Sequence, residues 1–306
     1  MYLGAHIGIA GGLANAPVQG RQIGCEAIQI FSKSPQMWAG PPIAPEAALR
    51  FREAVVRERL RATAVHHGYL LNLASPKSAM LRQSRKTFRD EIQRAELLGV
   101  DGLIFHPGAH TGSGVEAGIA SITANLNDAF LATPGVRVRA LLENSAGQGT
   151  TLCSSFEELQ AILAGLDTPS RAGVALDTCH LFAAGFDFRT AEDYGALIDR
   201  IRDTIGIEQV HAFHLNDAKS GLGSHLDRHE NIGHGEIGLE GFRHLVNDRR
   251  WRAVPGYLET PLDENGYARY VTDLHSLAAL RPRTSGGSIV EQPARPARAR
   301  RSSTAG

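Results

Sequence analysis

Eight short apolar runs alternate with longer amphipathic segments along the first 280 residues, and that alternation restricts the chain to few architectures. The runs are Leu3–Ile9, Glu26–Phe31, Ala62–His67, Gly102–His106, Arg139–Glu143, Gly173–Asp177, Val210–His214 and Gly256–Glu259. Each is rich in Val, Ile, Leu, Phe or small residues and is bounded by Gly, Pro, Asn or Ser, as strands are. Between them, 44–59, 83–99, 190–206, 238–251 and 265–280 carry helical periodicity; Gly99 reads as a stop and Thr190 as an N-cap. Strands that alternate with helices are joined by right-handed crossovers into a parallel sheet. Eight such units in about 280 residues fit a closed (β/α)₈ barrel. A doubly wound open sheet is the structural alternative.

After Leu280 the alternation stops. Residues 281–306 are rich in Pro, Arg, Ser and Gly and read as a disordered tail, which leaves 1–280 as the single folded domain. The tail holds six arginines and one glutamate, so the overall balance of 32 basic and 32 acidic residues conceals a body with a net charge of −5. Its arginines offer electrostatic contact to nucleic acid, though a solvated tail without a specific role has the same composition. An acidic body argues against nucleic-acid binding unless it carries divalent cations.

Composition excludes other classes. With 42% apolar and 21% charged residues the body is not globally disordered. No run approaches the ~20 apolar residues of a membrane helix, and no export signal is visible at the start. Cys25, Cys153 and Cys179 cannot build a disulfide framework and lack C-x-x-C pairing, which favours a cytoplasmic setting.

The chemistry sits where the strands end. Six of the eight finish on or beside His66, His106, Glu143, Asp177, His214 or Glu259. In a parallel barrel all strand C-termini open on one face, which is where active sites are built. The loop sequences DTCH and DRHENIGHGEIG add His180, Asp227 and His229. Singly, a strand-end histidine is ordinarily a hydrogen-bonded polar residue, Asp177 a turn residue and Glu259 an ion-pair partner. Gathered on one face, nine such groups would be very costly to bury without cations. A catalytic zinc commonly takes three protein ligands plus water, so this set suits about three ions if one carboxylate bridges. Imidazole and carboxylate without thiolate suit Zn²⁺ or Mn²⁺. Three divalent ions would bring the body to roughly +1, giving a phosphate site without a basic sequence. His67 competes with His66, and strand alternation lets only one of them face the metals. His6, His110 and His234 are expected to support ligands or to lie in loops.

Several motifs fail. GHGEIG (233–238) has G-x-G-x-x-G spacing but follows a polar loop rather than a strand. Walker A and G-x-S-x-G sequences are absent, which removes support for ATP-driven and α/β-hydrolase chemistry.

HxxYLLNLASP (66–76), FHPGAH (105–110), LLENSAGQG (141–149), LDTCHLFAAGFD (176–187), FHLNDAKSGLGSHLDRHENIGHGEIG (213–238) and YLETP (257–261) together resemble the endonuclease IV family of apurinic/apyrimidinic endonucleases, over roughly 1–280. The resemblance implies a xylose-isomerase-like (β/α)₈ TIM barrel with three Zn²⁺, for which Mn²⁺ can substitute. His66, selected over His67 by its spacing to Tyr69, would join His106 and Glu143 at the first ion. Glu143 would bridge to the second, held by Asp177, His214 and Glu259. His180, Asp227 and His229 would hold the third. Glu143 and Glu259 are the implied catalytic carboxylates. The implied reaction is attack of a metal-held hydroxide on the phosphorus 5′ to an abasic site in duplex DNA, leaving a 3′-hydroxyl and a 5′-deoxyribose phosphate, and the same chemistry clears 3′-blocking groups. An abasic nucleotide flips cheaply because it has no base to unstack. Tyr69 and Leu70 would be the wedge that enters the minor groove. Gln36 and Met37, in the FSKSPQMW loop (31–38), are DNA-contact candidates where family members often carry Arg and Gln, so Gln36 loses a cationic phosphate contact. A monomer without a nucleotide cofactor or membrane contact is expected. Two alternatives compete: a sugar isomerase or epimerase using Glu143, Asp177, His214 and Glu259 alone, and a catalytically silent binder of abasic DNA.

Overall fold

Strand pairing closes on itself in the computed structural model, which describes residues 1–264 and 266–282. In chain order the elements are β1 (Tyr2–His6), α1 (Asn15–Gln22), β2 (Ala27–Phe31), α2 (Pro45–Arg57), β3 (Ala62–His66), α3 (Ser78–Leu98), β4 (Gly102–Phe105) and α4 (Val115–Ala132). There follow β5 (Arg139–Glu143), α5 (Phe156–Ala164), β6 (Ala172–Asp177), α6 (Thr178–Ala183), α7 (Ala191–Thr204) and β7 (Val210–His214). A two-residue hairpin, β8 (Asp217–Ala218) and β9 (His229–Glu230), precedes α8 (Gly238–Asn247), β10 (Pro255–Leu258) and α9 (Ala268–Ala279). The barrel order is β1-β10-β7-β6-β5-β4-β3-β2, all parallel, with Leu3 opposite Gly256 at the seam where the first and last strands meet. Closure excludes the doubly wound open sheet.

The expected strands are present with small shifts. β1 ends at His6 rather than Ile9, β3 at His66 rather than His67, β4 at Phe105 and β10 at Leu258, so the rim residues His106 and Glu259 stand just past their strands' last paired residues. The helices follow the expected signals. Gly99 adopts a left-handed φ of 69° and donates its N–H back to α3, while the Thr190 side chain accepts from the Asp193 amide at 3.1 Å. One boundary moves: Arg281, expected in the disordered tail, donates to the Met1 carbonyl oxygen at 2.6 Å and pairs with Glu26 at 3.0 Å. The rest of the tail, from 283 onward, lies outside the described residues.

Alternation along each strand sorts side chains into two cores. Inside the barrel lie small residues, Ala27, Ala62, Ala64, Ala175 and Ala212, filled out by Ile104, Leu141 and Tyr257. The outward residues, such as Val65, Leu103, Leu142 and Val174, pack on the helix layer. There the large side chains sit, Phe88 of α3 against Phe105 at 4.8 Å for example, each worth roughly 1.5–3 kcal/mol of burial. Stability thus resides between strands and helices, and the upper mouth is free to hold polar groups. The three cysteines are buried and unpaired. Among the described residues no helix is long and apolar enough to cross a membrane.

Candidate metal centre

The period-two rule that buries Ala64 inside the barrel brings His66 to the inner rim two residues later. The same step runs from Ile104 to His106, Leu141 to Glu143, Ala175 to Asp177, Ala212 to His214 and Tyr257 to Glu259. His67 faces outward, with its Nδ1 donating to the Gly68 carbonyl oxygen at 2.8 Å and its ring 6.2 Å from Phe88. Burial pushes that imidazole down to about 3, so it stays neutral.

The rim groups converge. Glu143 is the hub: Oε2 lies 3.0 Å from His66 Nε2 and 3.4 Å from His106 Nδ1, and Oε1 lies 2.8 Å from His214 Nδ1. His214 Nδ1 is also 3.4 Å from Glu259 Oε2 and 3.7 Å from Asp177 Oδ2. Asp177 caps α6 by accepting from the His180 amide at 2.9 Å, which is why DTCH folds into a helical turn that carries His180 to the rim. Above it, Asp227 sits 3.2 Å from both His180 Nε2 and His229 Nε2. Ligand atoms of His66, His106 and Glu143 lie within 4.8 Å of one another; so do those of Glu143, Asp177, His214 and Glu259, and those of His180, Asp227 and His229.

The donor chemistry fits cations. His66, His180 and His229 each donate Nδ1–H to a backbone carbonyl oxygen, of His67 at 2.7 Å, Asn144 at 2.8 Å and Glu259 at 3.2 Å. That tautomer leaves Nε2 with a lone pair aimed at the carboxylates. Nε2 of His180 and of His229 is buried and has no hydrogen-bond partner, a costly state for a polar atom unless a cation takes it. Burial opposes ionisation of Glu143, yet when the surrounding imidazoles are protonated the charges of His106 and His214 and the hydrogen bonds of His214 and His66 hold it well below the usual carboxylate range. Glu259 and Asp227 are likewise held low against burial, by His214 and His6 and by His180 and His229 respectively.

The centre opens into a cavity of about 790 Å³ and a groove of about 470 Å³, with Tyr69, His106, His180 and Asp227 lining both. Tyr69 divides them; it is 65% exposed and packs edge-on against Phe31 at 5.7 Å. Leu70 lines only the groove and is half-buried. Gln36 and Met37 line neither cavity; they stand exposed on the turn closed by Met37 N–H to Ser34 O. That turn is anchored to α3, where Arg94 donates to the Ser32 carbonyl oxygen at 2.7 Å and Glu91 pairs with the buried Lys33.

A family model described as a xylose isomerase-like TIM barrel matches residues 19–280. The chain is 46% identical over 261 residues to "Probable endonuclease 4" of Geobacter sulfurreducens, covering 85% of this chain and 88% of that protein. The crystal structure of endonuclease IV from Thermus thermophilus superposes with a TM-score of 0.79 at 32% identity, covering 92% of this chain and 98% of that one. The chain belongs to the endonuclease IV family. A D-tagatose 3-epimerase-like protein, with a TM-score of 0.67 at 17% identity, shares the fold.

This endonuclease IV family member also has rim residues that the sequence reading missed. Gln29 is fully buried and donates to Glu259 Oε1 at 2.7 Å while its Oε1 accepts from His214 Nε2 at 2.9 Å. Asn216 donates to Asp177 Oδ2 at 2.7 Å and accepts from the Glu259 amide at 2.9 Å. Asn144 accepts from the Asp177 amide at 2.6 Å. Their signal was a polar amide at an inward or rim position of an apolar strand. His6, expected to support ligands, lies 3.1 Å from Glu259 Oε1. His110 accepts from the Gly114 amide at 3.1 Å, in a loop as expected.

Proposed function

We propose that the chain hydrolyses the phosphodiester bond 5′ to abasic sites in duplex DNA, and removes 3′-blocking groups by the same chemistry. The observation that carries this reading is the convergence of nine His, Asp and Glu side chains in three groups on one barrel rim. We assign His66, His106 and Glu143 to a first Zn²⁺; Glu143, Asp177, His214 and Glu259 to a second; and His180, Asp227 and His229 to a third, with Mn²⁺ acceptable to the same donors. Cations bound there supply a lowered water pKa and positive charge for the developing phosphate oxyanions. In the hydrolysis, water oxygen adds to phosphorus and the P–O3′ bond breaks, giving a 3′-hydroxyl and a 5′-deoxyribose phosphate.

The chain's own residues do the rest. Gln29 and His6 fix one oxygen of Glu259 and leave the other turned to His214. Tyr69, braced by Phe31, and Leu70 fill the gap that a flipped abasic nucleotide leaves in the stack. Met37 adds an apolar contact from the neighbouring loop, and Gln36 a neutral one. The catalytic unit is residues 1–280, acting as a monomer in the cytoplasm without a nucleotide cofactor. An epimerase reading leaves the His180–Asp227–His229 group without a task.

The test is cleavage of a duplex holding one tetrahydrofuran abasic analogue. It should be lost on chelation and return with Zn²⁺ or Mn²⁺, with about three ions counted per chain. Glu259→Gln should abolish cleavage and leave DNA affinity within roughly 3-fold. Binding without cleavage by the metal-loaded, unaltered chain would refute the reading.

A further inference from the structure

The glycine-rich run Gly233–Gly238, which has the spacing of a phosphate-binding loop, wraps a carboxylate of its own chain. Asp217 is fully buried at the start of the hairpin. Its Oδ1 accepts from the amides of Ala218 at 2.9 Å, Ile237 at 3.0 Å and Gly238 at 3.4 Å, and its Oδ2 from those of Gly233 at 2.9 Å and Gly235 at 3.1 Å. Converging main-chain N–H groups make an anion nest, and here the anion is a side chain. Only glycine fits at 235, where a Cβ would stand 2.4 Å from the Ala218 carbonyl oxygen and 2.6 Å from Asp217 Oδ1.

The nest is the return arm of a loop whose outgoing arm carries Asp227 and His229. Ala218 pairs with His229 across the hairpin, and the Lys219 amide donates to the Arg228 carbonyl oxygen at 2.9 Å. The Glu236 amide donates to the Ala218 carbonyl oxygen at 2.8 Å. Both arms are therefore tied to the three residues that begin with Asp217. The Asp227 side chain is itself 46% exposed, so packing does little to fix it. Backbone bonding does that work, and Asp217 is its buried end.

We infer that Asp217 is the positioning residue of the His180–Asp227–His229 group: its carboxylate closes the loop into the one shape that holds Asp227 and His229 beside His180. The inference rests on the three-cation reading above. Asp217→Asn keeps the side chain's volume but sets an NH₂ against main-chain amides that need an acceptor.

Chelator-stripped full-length chain is titrated with Zn²⁺ with metal counting, and in parallel with Co²⁺, read by its visible bands. The unaltered chain should take up about three ions. Asp217→Asn should bind two of them unchanged and the third roughly 10–100-fold more weakly. Gly235→Ala, which keeps the acid but crowds Asp217 Oδ1 and the Ala218 carbonyl oxygen with a Cβ, should do the same. Asp227→Asn should lose the same ion and Co²⁺ band, and adding Asp217→Asn to it should cost nothing further. Uptake of the third ion by Asp217→Asn with unaltered affinity would overturn the inference. So would parallel loss of all three ions, or an altered far-ultraviolet dichroism, because a residue that only closes this loop leaves the barrel intact. Fewer than three ions in the unaltered chain would overturn the three-cation reading itself, and this inference with it.

Discussion

Replacing Gln29 by leucine isolates what the amide network gives the rim. Gln29 has no solvent exposure, and its amide bonds Glu259 at 2.7 Å and His214 at 2.9 Å. Leucine fills nearly the same volume, so packing changes little while both bonds vanish, together with the 2.9 Å contact of the amide nitrogen with His6 Nδ1. A hydrogen bond to an ionised group contributes about 1.5–3 kcal/mol. If the bond to Glu259 is made in full only when that carboxylate is correctly placed, its loss raises the barrier to hydrolysis by about that amount. At about 1.36 kcal/mol per decade this is roughly a 10–150-fold fall in kcat/KM. The fall should be shared with metal affinity, since groups that orient ligands typically carry about 10–100-fold in either. The assay is cleavage of the tetrahydrofuran duplex under single-turnover conditions, with metal content measured on the same sample. A kcat/KM within about 3-fold of the unaltered chain at equal metal content would refute the reasoning, because Glu259 would then be oriented without its amide partner.

Three further outcomes are expected. Tyr69→Ala removes an aromatic surface worth about 1–3 kcal/mol per stacked base, so abasic-duplex affinity should fall roughly 5–150-fold with metal content unchanged; equal affinity would deny the wedge. Gln36→Arg adds a cation on the exposed loop and should steepen the slope of log affinity against log salt by about one; an unchanged slope would show that the loop does not meet a phosphate. Asp248 accepts from Tyr194 at 2.8 Å and pairs with Arg250; burial pushes its carboxyl up, but Arg250 and Tyr194 hold it below its ordinary value. A depressed folded-state pKa stabilises above the unfolded value of about 3.9 and fades as pH falls through the folded one. Asp248→Asn should therefore cost about 1–3 kcal/mol near pH 7 and progressively less below pH ~4, in thermal melts, with cleavage unaltered.

Most of the architecture was readable because a parallel barrel repeats one local rule eight times. Strands buried on both faces give continuous apolar runs such as LGAHIGI, and inward alternation delivers a charged residue at the rim whenever a strand ends on one. That is why His66, Glu143, Asp177 and His214 could be picked from the chain. What stayed hidden depends on contacts far apart in sequence. Gln29 looks like a polar break in AIQIF until β7 and β10 bring His214 and Glu259 to it. Asp217 looks like a loop acid until five amides turn toward it. The hairpin of β8 and β9 has two residues per strand, too few for any periodic signal. Arg281 reads as the first residue of a polar tail, and only barrel closure shows that its partners are Met1 and Glu26.

The seam between β1 and β10 adds a consequence in time. His6 and Glu259 touch across it, though they stand at opposite ends of the polypeptide. A nascent chain leaves the ribosome N-terminus first, so its early strands wait for the last one before the cylinder can shut. Until residue 259 has been made, His214 and Glu143 lack the carboxylate that meets them from the last strand, so the rim is completed only after almost the whole barrel has been translated.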